Sequence, residues 1–568
     1  MLLVTNNLPE LLDIKEKNIL FIGKWCEPLN LLMNNNYHFL DYHWLDREKF
    51  QTDHEYLNNL CRNILTNLGE ELNRLLELNL NSKFWDIVLN PWLSMFVSGA
   101  WDKWEHIRIS LSNFDIKRVK ILKYKNFVPP LDFNNFIENY FNNQDWNHLI
   151  YSEIIKFHKN KKITLEEINT DKELYFLNKV DNKKYIYYFF DILFSLVQRK
   201  SKVVFIESNF SKINFIKLSF KLNQFPRFFY QFYKKFNTVA INKDLRSRII
   251  IKINPKNNFE KFIFQIIRNH LPLSYLENFK KIFDHVKKIN IDSKIIITAN
   301  SNFPTEISKI WSAFMHSHKN KKLFLCEHGG SFRLKYRNYE YAEDIFSKKI
   351  IWRKPSNNNE YQLPIQRMSH LMNIKSSKKY LTIICMEQTQ FAYHAQTIQS
   401  SLILEDFNQK KIFIDLIRLS INDYKIKPYK NLGWNLEEKY KLIYGTHKIT
   451  KKSQLEILKL SKVVVCTYPE TSFLESIISG IPTILLFKEE FWEAHSNVSN
   501  LLYLLKKNQI IFNCPIQASS HIKKIWPNPN IWWDSKSVID VRKLFLSECG
   551  NIGDNWINEW KNFISSNS

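Results

Sequence analysis

The 568-residue chain has no CxxC pair and no mixed cysteine–histidine ligand set; its seven cysteines, Cys26, Cys61, Cys326, Cys385, Cys466, Cys514 and Cys549, are odd in number and scattered. That pattern excludes a disulfide scaffold and a zinc module, and reduced cytosolic thiols are expected instead. Long apolar runs are missing too. Acidic residues interrupt the opening stretch MLLVTNNLPELLDIKEKN before an apolar core forms, and no uninterrupted apolar segment reaches the length of about 18 residues that a membrane span needs. Neither a secretory leader nor a spanning helix is expected. The patterns GxxxxGK[ST] and GxGxxG do not occur, which removes the P-loop kinase and dinucleotide dehydrogenase fingerprints. DxD and HExxH are absent as well, and no repeat of solenoid period is evident.

Acid is scarce relative to base: 81 Lys and Arg face 56 Asp and Glu, a formal charge of +25. Such an excess suits an anionic partner, whether nucleic acid, a membrane surface or a phosphorylated substrate. Its carrier is mainly lysine spread along the chain beside Asn and Ile, which compositional bias also produces. No nucleic-acid motif accompanies it, so a nonenzymatic polyanion binder is the minor reading and no nucleic-acid partner is expected. With 45% hydrophobic and 15% aromatic residues the chain fills packed cores, and its length calls for two large domains with an added helical part.

The pattern along the chain is α/β. Asn18 to Gly23 (NILFIG) reads as a buried strand running into a loop. Helical spacing follows from Lys49 to Asn79 and from Phe84 to Trp104, the second interrupted at Pro91, which implies a helical insertion or layer. Lys202 to Glu207 and Ile249 to Ile253 are strand candidates in a lysine- and aromatic-rich middle. Lys294 to Ala299, a helix through Trp311, and Lys322 to Cys326 then lead into Glu327-His328-Gly329-Gly330. Pro355 to Gln362 is the linker candidate. Beyond it, Tyr380 to Cys385, Lys411 to Leu416, Val463 to Tyr468, Thr483 to Phe487 and Gln509 to Phe512 alternate with helix-length segments, the signature of a parallel, doubly wound sheet. The expected division is 1–360, an α/β domain with helical insertions; 376–545, a Rossmann-like domain; and 546–568, a helical tail.

Val463 to Phe487 (VVVCTYPETSFLESIISGIPTILLF) reads as strand, turn, helix from about Thr471, a Gly480 stop and a second strand after Pro482. The turn falls at the carboxyl edge of the sheet, where the amides and hydroxyls of Thr471 and Ser472 suit a phosphate and Glu475 suits a ribose diol. Helix capping by Thr471 or Ser472, with Glu475 balancing the dipole, accounts for the same residues and stays open. His328 ends a strand before two glycines that permit close backbone approach, and it is a candidate general base or phosphate donor; a packed histidine beside a tight turn is the alternative. In Tyr42 to Arg47, His43 and Asp46 are candidate bases and Arg47 an anion holder, against a cap and a surface ion pair. Arg418, leaving the expected Lys411 to Leu416 strand, is a candidate phosphate ligand.

Glu475, Gly480 and Pro482, as E-x-x-x-x-G-x-P before an apolar strand, resemble the donor-site signature of GT-B glycosyltransferases. With Phe21 to Cys26, Tyr42 to Arg47, Asn90 to Leu93, His328 to Gly330, Ile525-Trp526 and Trp532-Trp533, most of the chain resembles a transferase family of O-antigen and other surface-carbohydrate gene clusters. It departs from that family at Lys24, where an acidic residue is usual and only Glu27 stands near, and at Ser331-Phe332-Arg333, where a third glycine or an aromatic-glycine pair is usual. The resemblance implies two Rossmann-like domains of GT-B type with helical additions in the N-terminal half. It also implies sugar transfer from a nucleotide-sugar donor to a glycan or lipid-linked acceptor at the inner face of the plasma membrane. His328, His43 and Asp46 are then the catalytic candidates, and Gly329, Gly330, Arg418, Thr471, Ser472 and Glu475 the donor-binding ones. Because glycosyltransferases of the other main fold hold their diphosphate through an acidic metal motif, the missing DxD points to metal-free chemistry without a cofactor. Histidine-glycine turns also resemble those of glycerophosphotransferases, so a CDP-polyol phosphotransferase is the alternative enzyme.

Overall fold

A computed structural model describes residues 1–13, 16–27, 36–158, 162–175, 201–208, 210–227, 229–234, 236, 239–330, 334–336, 345–346, 348–365, 368, 371–372, 374–553 and 555–568. Its strands form three five-stranded sheets, each wholly parallel. The first comprises β1 (Leu2–Val4), β2 (Asn18–Phe21), β3 (Asn36–Phe39), β4 (Arg118–Phe127) and β5 (Thr164–Leu174), in the order β3-β2-β1-β4-β5. The second comprises β6 (Val203–Ile206), β7 (Ile295–Thr298), β8 (Lys322–Cys326), β9 (Lys349–Ile351) and β10 (Glu360–Gln362), which lie side by side in chain order. The third comprises β11 (Tyr380–Ile384), β12 (Tyr424–Lys427), β13 (Ser461–Cys466), β14 (Thr483–Leu486) and β15 (Ile511–Phe512), in the order β12-β11-β13-β14-β15. Runs such as VVFI, IIIT and TILL are buried at every position, as strands covered by helices on both faces must be.

The α/β class and the Rossmann-like arrangement are those expected, and the N-terminal half holds a sheet more than the sequence pattern resolves. Its strands hide for a physical reason. The edge strand β5 (TLEEINTDKEL) is exposed or half-exposed at all but its last residue, and its partner β4 is charged, so neither forms an apolar run. Arg118 of β4 instead holds Glu166 of β5 at 2.7 Å and Glu16 at 2.9 Å.

Between β3 and β4 the chain makes an antiparallel pair of long helices, α1 (Arg47–Leu76) and α2 (Ser82–Asn113). Pro91 does not break α2. A proline inside a helix costs about 3 kcal/mol, and burial of the residues from Phe84 to Ala100, with Asp86 alone half-buried, offsets it. A helix apolar all round must be enclosed, and α2 packs against α1, the Gln144–His158 helix and the Glu306–Lys319 helix. It therefore joins the first sheet to the second.

Further helices include α3 (Lys212–Lys221), α4 (Leu402–Ile417), α5 (Thr471–Ile478) and α6 (Trp556–Asn567). The strand expected at Lys411 to Leu416 is the end of α4. Its apolar residues continue a helical stripe through Leu402, Ile403, Phe407, Phe413, Ile414 and Ile417, masked in sequence by the buried pair Asp406 and Lys410. Ile249 to Ile253 forms no strand, being a loop after a short helix. Pro355 to Gln362, the linker candidate, is a turn leading into β10, pinned by Arg353 on Glu360 at 2.7 Å. The C-terminal segment returns to the second sheet: Trp560, Phe563 and Ile564 of α6 join Val203, Phe205, Ile295 and Phe324 in one core.

Candidate active site between the second and third sheets

The third sheet has the order 2-1-3-4-5, whose topological switch lies between β11 and β13. Crossovers leave such a point on opposite faces, which opens a crevice outside the carboxyl ends of the strands. The chain leaves β13 through Thr467 to Glu470 and enters α5 at Thr471, beside this crevice. Across from it, β8 of the second sheet ends at Cys326 and releases His328-Gly329-Gly330. The two turns meet: the Gly330 N–H donates to Thr471 Oγ1 at 3.0 Å. Both glycines are needed there. Gly330 has φ +105°, and a Cβ on Gly329 would stand 2.9 Å from Thr471 Oγ1.

This geometry decides the capping question that the sequence leaves open. The N-cap of α5 is Glu470, whose side chain makes no cap; the Thr471 hydroxyl is turned to Gly330, and the Ser472 hydroxyl pairs with Tyr468 Oη at 2.8 Å. Neither hydroxyl caps the helix. Glu475 follows one turn on, half-buried, and the carboxyl end of β12 brings Lys427 near it. Burial pulls the Lys427 ammonium below its usual range, while Glu475 and Glu456 oppose that pull. Its Nζ donates to the Lys452 carbonyl at 2.7 Å.

Lys427, which in sequence is one solvated lysine among several, thus stands where Arg418 was expected. Arg418 follows α4 as its C-cap, six residues before β12 begins, so it lies at the amino edge of the third sheet. There it pairs with Asp415 at 3.2 Å. The structure does not bring it to the donor crevice.

The Tyr42 to Arg47 stretch divides. Asp46 caps α1, its Oδ1 accepting from the Glu48 and Lys49 amides at 3.1 and 3.0 Å. The His43 side chain is fully enclosed, with Nε2 3.1 Å from Asp102 Oδ1, to which Tyr42 also donates at 3.0 Å. Neither is presented to the crevice, and neither is carried forward as a base. Arg47 binds Glu493, after β14, at 2.6 Å and the Thr397 carbonyl, after β11, at 3.2 Å, so it clamps the N-terminal part onto the third sheet's loops.

Sequence reading missed Asp102, Lys103 and His106, which lie inside the apolar α2. Burial alone would raise the Asp102 carboxyl, but His106, His43 and Lys103 together hold it below its usual range. Burial pulls Lys103 down to about 8 and His106 down to about 4. Ligating atoms of His43, Asp102 and His106 lie within 4.8 Å of one another, a grouping hidden in sequence by the 59-residue separation of His43 from Asp102. Tyr42 and His43 hold Asp102 Oδ1, His106 Nδ1 stands 3.6 Å from Asp102 Oδ2, and the Lys103 ammonium, which donates to the Gly99 carbonyl at 3.2 Å, adds a nearby positive charge. The legible signal was a run of charges, Trp101-Asp102-Lys103-Trp104-Glu105-His106, in a helix otherwise too apolar to be half-exposed.

The carboxyl edges of two parallel sheets thus face each other across a helix N-terminus. The chain matches the LIC12162 family transferase over residues 1–564 and belongs to that family. It is a transferase. No curated protein sequence matches it at a significant level. Among solved structures it is similar to the wall teichoic acid polymerase TagF, with 9% identity over 68% of this chain and 98% of that one, at a TM-score of 0.34. It is also similar to the N-terminal domain of Candida albicans trehalose-6-phosphate phosphatase, with 13% identity over 79% and 97% and a TM-score of 0.31. The C-terminal domain of the group 1 glycosyl transferase LpcC from Francisella tularensis gives 10%, 32%, 93% and 0.20 in the same measures.

Proposed function

We propose that this transferase moves a sugar from a nucleotide-activated donor to a glycan or lipid-linked acceptor of surface-carbohydrate synthesis. The observation that carries the reading is the hydrogen bond from Gly330 to Thr471, which unites a histidine-bearing turn with a helix start suited to phosphate. The donor phosphate would sit at the N-terminus of α5 with Lys427 as the nearby cation, and Glu475 would accept from the ribose hydroxyls. The acceptor oxygen bonds to the anomeric carbon, the carbon–phosphate-oxygen bond breaks, and the acceptor proton passes to His328. The nucleotide leaves with its charge held by the dipole and Lys427.

The testing experiment is calorimetry with CMP, UDP, GDP, CDP and TDP. Each of Thr471→Ala, Ser472→Ala, Glu475→Ala and Lys427→Ala should bind the preferred nucleotide about ten- to a hundredfold more weakly, as loss of a charge-assisted hydrogen bond costs about 1.5–3 kcal/mol. Unchanged affinity in all four variants refutes the site. Transfer from a CDP-polyol in place of a nucleotide sugar would move the chemistry to the phosphotransferase alternative while keeping the same residues.

Charge neutralisation by dipole and side chain also implies that turnover needs no divalent ion. Activity after exhaustive EDTA treatment should stay within about twofold of the untreated enzyme, since the side-chain donors are unaffected. A chelated enzyme that is inactive until Mg²⁺ or Mn²⁺ is returned contradicts this. No helix among the described residues is long and apolar enough to cross a membrane. In this reading a lipid-linked acceptor is met at the inner face of the plasma membrane.

A further inference from the structure

The stretch from Asn209 to Phe236 is basic and aromatic, a composition that suits either an anionic interface or a packed helix with solvated lysines, and the structure divides it. Asn209, Phe228 and Lys235 lie outside the described residues. Arg227, Phe229 and Phe232 are buried, Phe232 against Trp311 at 5.1 Å, and Phe210 packs on Trp560 at 4.9 Å. Lys234 and Asn223 stay exposed, and so does one face of α3.

That helix has two unlike sides. Phe215, Leu218 and Leu222 face inward, onto β6 and α6 of the second core. On the outer side Ile213, Ile216 and Phe220, at i, i+3 and i+7, form a stripe exposed to 66%, 38% and 59%. Lys212, Lys217 and Lys221, all exposed, flank the stripe. From Ser208 to Lys243 there is no acidic residue. An outward apolar stripe bordered only by lysines, on a ten-residue helix, is too narrow for a protein partner, which needs about 800 Å² on each side. A bilayer surface demands no matched shape: the apolar side chains enter the acyl boundary and the ammonium groups meet lipid phosphates.

We infer that the outer face of α3 docks the protein on an anionic lipid bilayer, with Ile213, Ile216 and Phe220 inserted and Lys212, Lys217 and Lys221 on the headgroups. The inference deepens the proposed function by naming the surface through which a lipid-linked acceptor is approached, and it stands on α3 alone.

The test is co-sedimentation of the full chain with vesicles of phosphatidylglycerol and phosphatidylcholine, and of phosphatidylcholine alone, at about 0.05 M and about 0.5 M salt. Wild-type protein should pellet with the anionic vesicles at low salt and lose at least about tenfold in binding at high salt or on neutral vesicles. The double variant Lys217→Glu/Lys221→Glu and the triple variant Ile213→Asn/Ile216→Asn/Phe220→Ser should each lose at least about tenfold on anionic vesicles. Both should keep wild-type circular dichroism and nucleotide affinity. Wild-type protein that ignores anionic vesicles at low salt overturns the inference, as does a folded triple variant that binds them undiminished. A concentration-dependent dimer abolished by the triple variant, with vesicle binding intact, would give the face to a second copy instead. Nucleotide affinity is read in solution, so failure on vesicles with normal nucleotide binding removes only the docking surface, and the converse removes only the donor site.

Discussion

Replacing His328 by Ala should lower turnover by about 10²- to 10⁴-fold while leaving nucleotide affinity within a few fold, because a positioned general base contributes that much to rate and little to donor binding. The split follows from the geometry. His328 stands two residues before the Gly330 amide that donates to Thr471, so the imidazole and the Thr471 hydroxyl belong to opposite walls of one crevice. Glycine scanning would confuse the two roles: a side chain at Gly329 or Gly330 should disturb both kcat and donor binding, since φ +105° and the 2.9 Å approach leave no room. His328→Ala leaves that backbone alone. The measurement is kcat against pH for wild type and variant with the nucleotide Kd taken in parallel. Near-normal kcat with an unchanged pH profile takes His328 out of the chemistry, and an equal loss in Kd makes it a binding residue.

How much of this was legible follows from burial. Strands enclosed on both faces announce themselves as unbroken apolar runs, and β7, β8, β11, β13 and β14 fall within a residue or two of where the runs place them. In the first sheet the apolar run of β2 announces itself, but β4 and β5 do not, because they trade charges with each other rather than burying both faces. The same logic reverses for Lys411 to Leu416, where four apolar residues look like a strand until the buried Asp406 and Lys410 upstream are seen as one face of a helix. At the site, Thr471 and His328 were legible separately as strand ends. Their contact is not, because 141 residues separate Gly330 from Thr471 and no local pattern encodes that closure. Lys427 was invisible for a related reason: a lysine at the end of a strand gains meaning only from the switch point beside it.

Acid should unfold this protein early, with stability falling from about pH 6.5 toward pH 4, before most carboxylates begin to titrate. Five histidines carry the argument. Burial pulls His54, His106 and His521 down to about 4, and His148 and His394 down to about 3. For His148 the structural reason is explicit. Its Nε2 accepts from the Leu122 amide at 3.0 Å, so Nδ1 carries the proton toward Thr5 Oγ1, also at 3.0 Å. A second proton would leave the Leu122 N–H of β4 facing another donor. Each folded pKa lies below the unfolded value of about 6.5, so between the two the unfolded chain binds protons that the folded one refuses. Stability is complete above that upper value and is lost as pH falls, by about 1.4 kcal/mol per pH unit for each histidine within its window. Glu306, Glu387 and Asp406 are raised by burial and work in the opposite direction, which softens the slope without reversing it. Urea unfolding midpoints at pH 7, 6 and 5 give the measurement, and a His148→Gln variant, with an acceptor that does not titrate there, should show a shallower fall than wild type. A midpoint unchanged from pH 7 to pH 5 would mean that these histidines are solvated or open to water, and the enclosure drawn for α2 and its neighbours would be wrong.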